Sequence, residues 1–176
     1  MLITPEYAAQ NAELHKTNRH YGTSGYKKAD DIIALCNSIA PSSLLDYGCG
    51  KATLAQALAD RAEEIIEPVR VTNYDPAIAE HASRPPKCDI VVCGDVLEHI
   101  EPECLDEVLV DIKSLCGKSA YFIISLRPAQ KTLPDGRNAH LIVETAAWWA
   151  NKLEKEWLIC TTKQTETEAR FLCAPR

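Results

Sequence analysis

The sequence predicts an α/β fold, in which a doubly wound sheet carries helices on both faces and ends in a C-terminal antiparallel hairpin. Near residue 44 a buried apolar strand runs into a turn with glycines at Gly48 and Gly50, and a helix-forming segment rich in alanine and leucine follows. Further apolar strands alternate with amphipathic helical segments along the chain. The 176 residues are enough for one such domain with its own core.

Composition restricts the class of protein. A net charge of −6, with 46% hydrophobic and 25% charged residues, is typical of a soluble globule and provides no basic surface for duplex nucleic acid. No apolar run approaches the roughly 20 residues needed to cross a membrane. The first ten residues lack a basic, apolar leader, so we expect a cytoplasmic protein. The eight cysteines include no Cys-x-x-Cys pair, and we expect reduced core thiols. Six of them lie in apolar segments, where cysteine behaves as a small hydrophobic residue: Cys36, Cys93, Cys104, Cys116, Cys160 and Cys173.

Residues 1–27 form a polar and aromatic N-terminal segment that precedes the main domain at 28–176. A short helix is expected first, and the glycines Gly22 and Gly25 then predict a loop. Two interpretations are open: a lid that places aromatic side chains over a site, or an arm that only covers the sheet.

The first half of the domain follows a helix–strand–helix–strand order. Residues 28–39 place their apolar side chains on one helical face, and Pro41 ends that helix. Residues 43–47 form the first strand, 51–62 the helix after the glycine turn, and 69–74 the second strand.

The second half begins with the apolar strand 89–95 and an amphipathic helix at 102–116. The apolar run 120–126 is the next strand, and turn residues around Pro134 and Gly136 mark a long loop after it. A helix at 144–154 and two strands at 157–162 and 170–173 complete the chain.

One unit of the expected fold is short. Only 13 residues separate Asp75 from Asp89, which is too few for a further helix and strand. We therefore expect the sheet to lack its third strand or to retain a trace of it.

The glycine turn carries the strongest motif. It is not the dinucleotide-binding pattern, because Thr53 stands where a third glycine is needed, and it is not a phosphate-binding loop, because Ala52 follows Lys51. The segment resembles motif I of class I S-adenosylmethionine-dependent methyltransferases, in which Asp46, Gly48 and Gly50 match and Ala52 replaces the last glycine. This resemblance implies a Rossmann-like fold and S-adenosylmethionine as cofactor.

Two later strand ends extend the resemblance. Asp75 is in the position of the motif II acid, which holds the ribose hydroxyls of the cofactor. The strand ending in Gly94 and Asp95 is similar to motif IV, and the following Leu-Glu-His is similar to the ubiquinone-type O-methyltransferase branch. The missing third strand normally supplies the adenine-binding acid, so residues 84–95 would have to hold adenine. The cofactor-binding residues that the resemblance implies are Asp46, Gly48, Cys49, Gly50, Asp75, Pro76, Gly94 and Asp95.

Three side chains are candidates for the chemistry. Methyl transfer requires that the acceptor be aligned and, where needed, lose a proton, and the candidate catalytic residues are His99, His140 and Asp95. His20 is a further possible base. His99 could equally be a packed side chain bonded to the backbone.

A metal is not part of the main prediction, but an alternative includes one. Asp95, Glu98, His99 and His140 resemble the metal-binding set of small-RNA 3′-terminal 2′-O-methyltransferases, and oxygen and imidazole ligands suit manganese or another transition ion.

Four basic residues could form a modest rim for an anionic substrate: Arg19, Arg127, Lys131 and Arg137. Ordinary surface charge is the usual explanation for such residues.

These observations predict a methyltransferase that acts on a small molecule or a singly presented nucleotide, at oxygen or nitrogen. The alternatives are a non-catalytic module that binds S-adenosylmethionine or a partner, a metal-assisted RNA 2′-O-methyltransferase and, less favoured because of Thr53, a nicotinamide oxidoreductase. The oligomeric state is left open.

Overall fold

The computed structural model describes residues 1–176 and contains one open, six-stranded sheet. The strand order is β2-β1-β3-β4-β6-β5, in which the first four strands run parallel and the last two are antiparallel. The strands are β1 Ser43–Tyr47, β2 Arg70–Tyr74, β3 Cys88–Gly94, β4 Cys116–Ser125, β5 Trp157–Gln164 and β6 Glu168–Pro175. The predicted α/β sheet and its C-terminal hairpin are confirmed.

Five helices accompany the sheet. Thr145 caps the last of them by accepting a hydrogen bond from the backbone N–H of Trp148, and Ala40, in a left-handed conformation before Pro41, ends the second. The predicted helices are present, and most are two to three residues shorter at one or both ends. They are α1 Pro5–Thr17, α2 Ala29–Ile39, α3 Thr53–Asp60, α4 Leu105–Leu115 and α5 Ala146–Leu153.

The chain lacks a third helix–strand unit, as expected. Between β2 and β3 there is a single 3₁₀ turn, Ala79–His81, and β2 is therefore an edge strand. Arg84, in the same connection, pairs with Asp111 of α4 at 2.6 Å. The connection thus packs against a helix and does not extend the sheet.

The core lies on both faces of the sheet. One face packs α4 and α5 around Phe122, Trp149 and Trp157, all fully buried, and the other packs α2 and α3 against β1 and β3. Seven of the eight cysteines are buried. The expectation of a core position fails for Cys160, which lies on the edge strand β5 and is exposed to solvent. No helix is both long and apolar enough to span a membrane.

Strand order positions the site. β1 is buried along its whole length and has β2 on one side and β3 on the other, so the chain reverses its direction of winding here. Ligands bind such sheets at the carboxyl ends of the strands beside this point. The N-terminal helix α1 lies across that edge, where the Thr4 hydroxyl donates to Glu101 at 2.8 Å and the Tyr7 hydroxyl donates to the His99 carbonyl at 2.6 Å.

Candidate active site

A cavity of about 420 Å³ lies at the carboxyl ends of β1 to β4. The strand ends and the turns after them form its floor. Residues of the N-terminal segment, including Tyr7, His15 and Tyr21, form the opposite wall. The ten residues that the resemblance and the candidate chemistry single out all line this cavity: Asp46, Gly48, Cys49, Gly50, Asp75, Pro76, Gly94, Asp95, His99 and His140.

The glycine turn requires its glycines. Gly48 and Gly50 adopt φ values of 76° and 53°, which L side chains rarely adopt. A Cβ added at Gly50 would also come within 2.6 Å of the Gly22 carbonyl oxygen, which accepts a hydrogen bond from the Lys51 N–H at 2.9 Å. The N-terminal segment therefore packs directly on the turn. Ala52, in place of the third glycine, also has a positive φ of 54°.

Asp75 joins the second strand to the turn. One carboxylate oxygen accepts from the Gly50 N–H at 3.0 Å and the other from the Ala77 N–H at 3.0 Å, and the residue is buried. The Gly48 N–H in turn donates to the Tyr74 carbonyl at 2.7 Å. Each carboxylate oxygen retains lone-pair capacity for a ligand hydroxyl. Gly48 and Asp75 thus belong to one connected site.

Asp46 is a second buried acid at this end of the cavity. Burial, and secondly the nearby Asp75 carboxylate, raise the pKa of Asp46 to about 7. A bound ammonium or sulfonium would favour the ionised form, because an opposite charge offsets both causes.

Glu98 is the most deeply buried acid of the site. It lies on a 3₁₀ turn, Leu97–His99, and one oxygen accepts from the Ser125 N–H at 2.9 Å. Its other oxygen is buried and has no hydrogen-bond partner. Burial, followed by the charge of Asp95, raises the pKa of Glu98 to about 8. A buried carboxylate oxygen without a hydrogen-bond partner is unusual in folded proteins and suggests that Glu98 contacts a ligand.

Two imidazoles lie beside Glu98. His99 Nδ1 is 2.7 Å from the Ala139 carbonyl, and His140 Nδ1 is 2.6 Å from the Arg127 carbonyl. Because a carbonyl oxygen only accepts, each Nδ1 carries the proton, and each neutral ring keeps a lone pair on Nε2. Burial, and then the neighbouring His140, lower the pKa of His99 to about 4.

The metal-binding set is brought together in part. One ligand atom from each of Glu98, His99 and His140 lies within 4.8 Å of the others. Asp95 does not join this group; its backbone is left-handed, at φ 55°, and its carboxylate pairs with Lys28 at 3.4 Å. The structure thus brings together three of the four residues of the alternative metal-binding set, and that set stays a prediction.

The wall from the N-terminal segment contains residues outside the predicted cofactor and catalytic sets; its aromatic side chains belong to the predicted lid, and Asn11 was not predicted. Tyr7, Asn11 and His15 line the cavity from one face of α1, and the Tyr21 hydroxyl donates to the Asn11 side-chain oxygen at 2.7 Å. Their spacing of four residues, which places them on one helical face, was the available signal. Residues 84–93, expected to help hold adenine, do not line the cavity, whereas Gly94 and Asp95 do.

The comparisons with known proteins agree with this geometry. A family model described as a methyltransferase domain matches residues 19–165. The fold is similar to mitomycin 7-O-methyltransferase MmcR, with a TM-score of 0.69, 14% identity and 93% of this chain covered. It is also similar to a 1,6-didemethyltoxoflavin-N1-methyltransferase from Burkholderia thailandensis, solved with S-adenosylhomocysteine, with a TM-score of 0.63 and 16% identity over 99% of this chain and 92% of that one.

The length of the matched proteins varies. The chain spans 58% of an O-methyltransferase family protein from Burkholderia thailandensis, which has a TM-score of 0.61, 10% identity and 88% of this chain covered. It spans 60% of MmcR. No curated protein matches this sequence.

The chain belongs to the methyltransferase-domain family, because the family model covers most of its length. Family membership confirms the expected class, a methyltransferase domain, and the structure confirms its Rossmann-like fold. The ubiquinone-type branch stays a prediction.

Proposed function

We propose that the protein transfers a methyl group from S-adenosylmethionine to an oxygen or nitrogen of a small molecule or of a singly presented nucleotide. The observation that carries this proposal is one continuous cavity. It joins the Gly50–Asp75 cofactor site to two imidazoles that each keep a free Nε2.

The cofactor end suits an amino-acid nucleoside. The backbone at Gly48 and Gly50 permits close approach, and the buried Asp75 carboxylate can accept from ribose hydroxyls. Asp46 and Asp95 place negative charge beside the positions that an ammonium or a sulfonium would occupy. When bound, S-adenosylmethionine supplies a methyl group on a good leaving group.

The acceptor end supplies alignment and proton removal. His99 is neutral at pH 7, because its pKa is lowered, and its Nε2 can take the proton of an acceptor hydroxyl or N–H as the new bond to the methyl carbon forms. A base with a low pKa suits an acceptor that is itself acidic, such as a phenol, an enol or a heterocyclic N–H. The N-terminal segment would cover the acceptor and exclude water, which is the lid interpretation of residues 1–27.

A binding experiment and a transfer experiment together test this function. We expect S-adenosylhomocysteine to bind in calorimetry and labelled methyl to appear in a metabolite or short-RNA pool. His99→Gln should abolish transfer with little change in binding, and His81→Gln, outside the cavity, serves as the matched control. Binding without any transfer would favour the non-catalytic module. Absence of S-adenosylhomocysteine binding at millimolar concentration would refute the proposal.

A second candidate, metal-assisted methylation of a terminal ribose hydroxyl, is supported by the Glu98, His99 and His140 cluster. Its atoms lie within 4.8 Å, one Glu98 oxygen has no partner, and both imidazoles donate Nδ1–H to backbone carbonyls, as metal-ligating histidines commonly do. These three residues would hold a manganese-like ion, which could orient acceptor hydroxyls as a Lewis acid.

Titration with Mn²⁺ separates the two candidates. If the second is correct, calorimetry shows one site that Glu98→Gln removes and that Glu103→Gln, an exposed acid outside the cavity, leaves intact. Activity would then be lost with chelator. No heat with Mn²⁺, together with chelator-resistant methyl transfer, would refute the metal-assisted mechanism.

The remaining expectations are proposals of the same kind. We place the protein in the cytoplasm, where its eight free thiols would stay reduced, and expect neither duplex nucleic acid nor a membrane as partner.

A further inference from the structure

The charges that line the cavity are segregated. The acids Asp46, Asp75 and Asp95 lie at the ends of β1, β2 and β3, beside the glycine turn. The lysine and arginine side chains that line the cavity are Arg127 and Lys131, both in the loop that follows β4. Apart from Glu98, which is fully buried beside the imidazoles, the acids named here lie in the half of the cavity that the cofactor would occupy, and both cations lie in the other half.

Neither of these cations is neutralised within the protein. By contrast, Arg137, in the same loop, contacts Asp135 at 2.7 Å, and Lys28, which follows the N-terminal segment, contacts Glu168 at 2.6 Å. Arg127 and Lys131 take part in none of the ion pairs of the molecule.

The loop backbone holds both cations next to the imidazoles. The Arg127 carbonyl is 2.6 Å from His140 Nδ1, and the Lys131 carbonyl accepts from the Ala139 N–H at 3.0 Å. The Ala139 carbonyl in turn contacts His99 Nδ1. One backbone contact therefore joins Arg127 to His140, and two in series join Lys131 to His99.

Aromatic side chains complete this half of the cavity. The Lys131 ammonium lies 5.2 Å from the centroid of the Tyr21 ring. Tyr21, His99 and His140 follow one another with centroid distances of 6.3 and 4.7 Å. Such a row of rings suits a planar acceptor.

We propose that the methyl acceptor carries an oxyanion, a carboxylate or a phosphate monoester, which Arg127 and Lys131 bind while its nucleophilic atom faces His99 and His140. This inference rests on the proposed methyl-transfer function and specifies the acceptor class. Guanidinium and ammonium groups recognise both oxyanions through charge-assisted hydrogen bonds. An aromatic acceptor with one acidic substituent would place its charge at the two cations and its ring beside Tyr21, His99 and His140.

The test compares charged probes with neutral analogues in protein saturated with S-adenosylhomocysteine. Binding is measured by ligand-observed NMR titration of benzoate against benzamide, and of phenyl phosphate against phenol. The first pair reports a carboxylate site and the second a phosphate site. We expect at least one charged probe to bind roughly tenfold more tightly than its neutral partner, as for one charge-assisted contact.

Variants then assign the difference to the two cations. Arg127→Gln and Lys131→Gln should each reduce the charged-over-neutral preference several-fold and leave S-adenosylhomocysteine binding unchanged. Lys155→Gln, an exposed lysine outside the cavity, should leave both unchanged. Because neither substituted side chain is buried, loss of folding is not expected, and circular dichroism confirms it.

The outcomes separate this inference from the function beneath it. Equal binding of charged and neutral probes, no binding of either in the millimolar range, or a preference that survives both substitutions would overturn the oxyanion assignment, even though the cofactor still binds. Failure to bind S-adenosylhomocysteine at all would instead refute the methyl-transfer proposal, and this inference with it.

Discussion

Replacing Asp46 by asparagine should stabilise the protein and weaken cofactor binding. In the folded protein, burial and Asp75 raise the pKa of Asp46 from 3.8 to about 7. The native state therefore binds a proton more tightly than the unfolded state does, and the wild type loses stability as the pH rises from about 4 to about 7. The difference between the two pKa values corresponds to about 4 kcal/mol as an upper limit, since each pKa unit is worth about 1.4 kcal/mol.

Asparagine has nearly the same shape and does not ionise, so it avoids this cost. We expect the free energy of unfolding of Asp46→Asn to equal that of the wild type near pH 4 and to exceed it by up to about 4 kcal/mol at pH 8. Urea unfolding at several pH values measures the difference. Asp60→Asn, which replaces an exposed carboxylate, should show no such trend.

Cofactor binding should change in the opposite direction. Loss of a charged partner for the ligand ammonium should weaken S-adenosylhomocysteine binding by roughly tenfold or more at pH 8. In the wild type that affinity should rise with pH as Asp46 ionises, and the variant should lack the rise. If Asp46→Asn is less stable than the wild type at pH 8, the ionised carboxylate stabilises the fold. If its effect is independent of pH, the pKa of Asp46 does not differ between the folded and unfolded states. Either result would refute the reasoning.

Three further substitutions test the connections around the cavity. Gly50→Ala should lower both the affinity for S-adenosylhomocysteine and the stability of the protein, because the added Cβ meets the Gly22 backbone. Gly136 also has a positive φ but lies in open space, so the control Gly136→Ala should cost about 1–2 kcal/mol in urea unfolding and leave binding intact. Asp75→Asn should lower affinity by roughly tenfold or more in calorimetry, through lost ribose contacts. Tyr7→Phe removes a buried hydrogen bond and should cost about 1–3 kcal/mol in urea unfolding, whereas no change would show that α1 is not held there.

Much of the fold follows from local chemistry that the sequence displays. The apolar run before Asp46 can only be a buried parallel strand, and Gly48 and Gly50 are needed for a backbone that other residues do not adopt. The missing third strand follows from the length of chain between Asp75 and Asp89, because a helix and a strand need more residues. Cys160 was placed wrongly, since an apolar pattern does not reveal which face of an edge strand is exposed.

The sequence by itself determined the class of protein, because a glycine turn between a strand and a helix, with an acid at the next strand end, depends on residues close together in the chain. The tertiary structure alone decided which side chains meet. His99 and His140 are 41 residues apart in the chain, yet their rings lie 4.7 Å apart. Asp95 is only three residues before Glu98 in the chain, yet its carboxylate forms an ion pair with Lys28. The physical reason is that side-chain direction depends on the packing of distant elements, here the loop after β4 and the N-terminal helix, and sequence spacing carries no record of that packing.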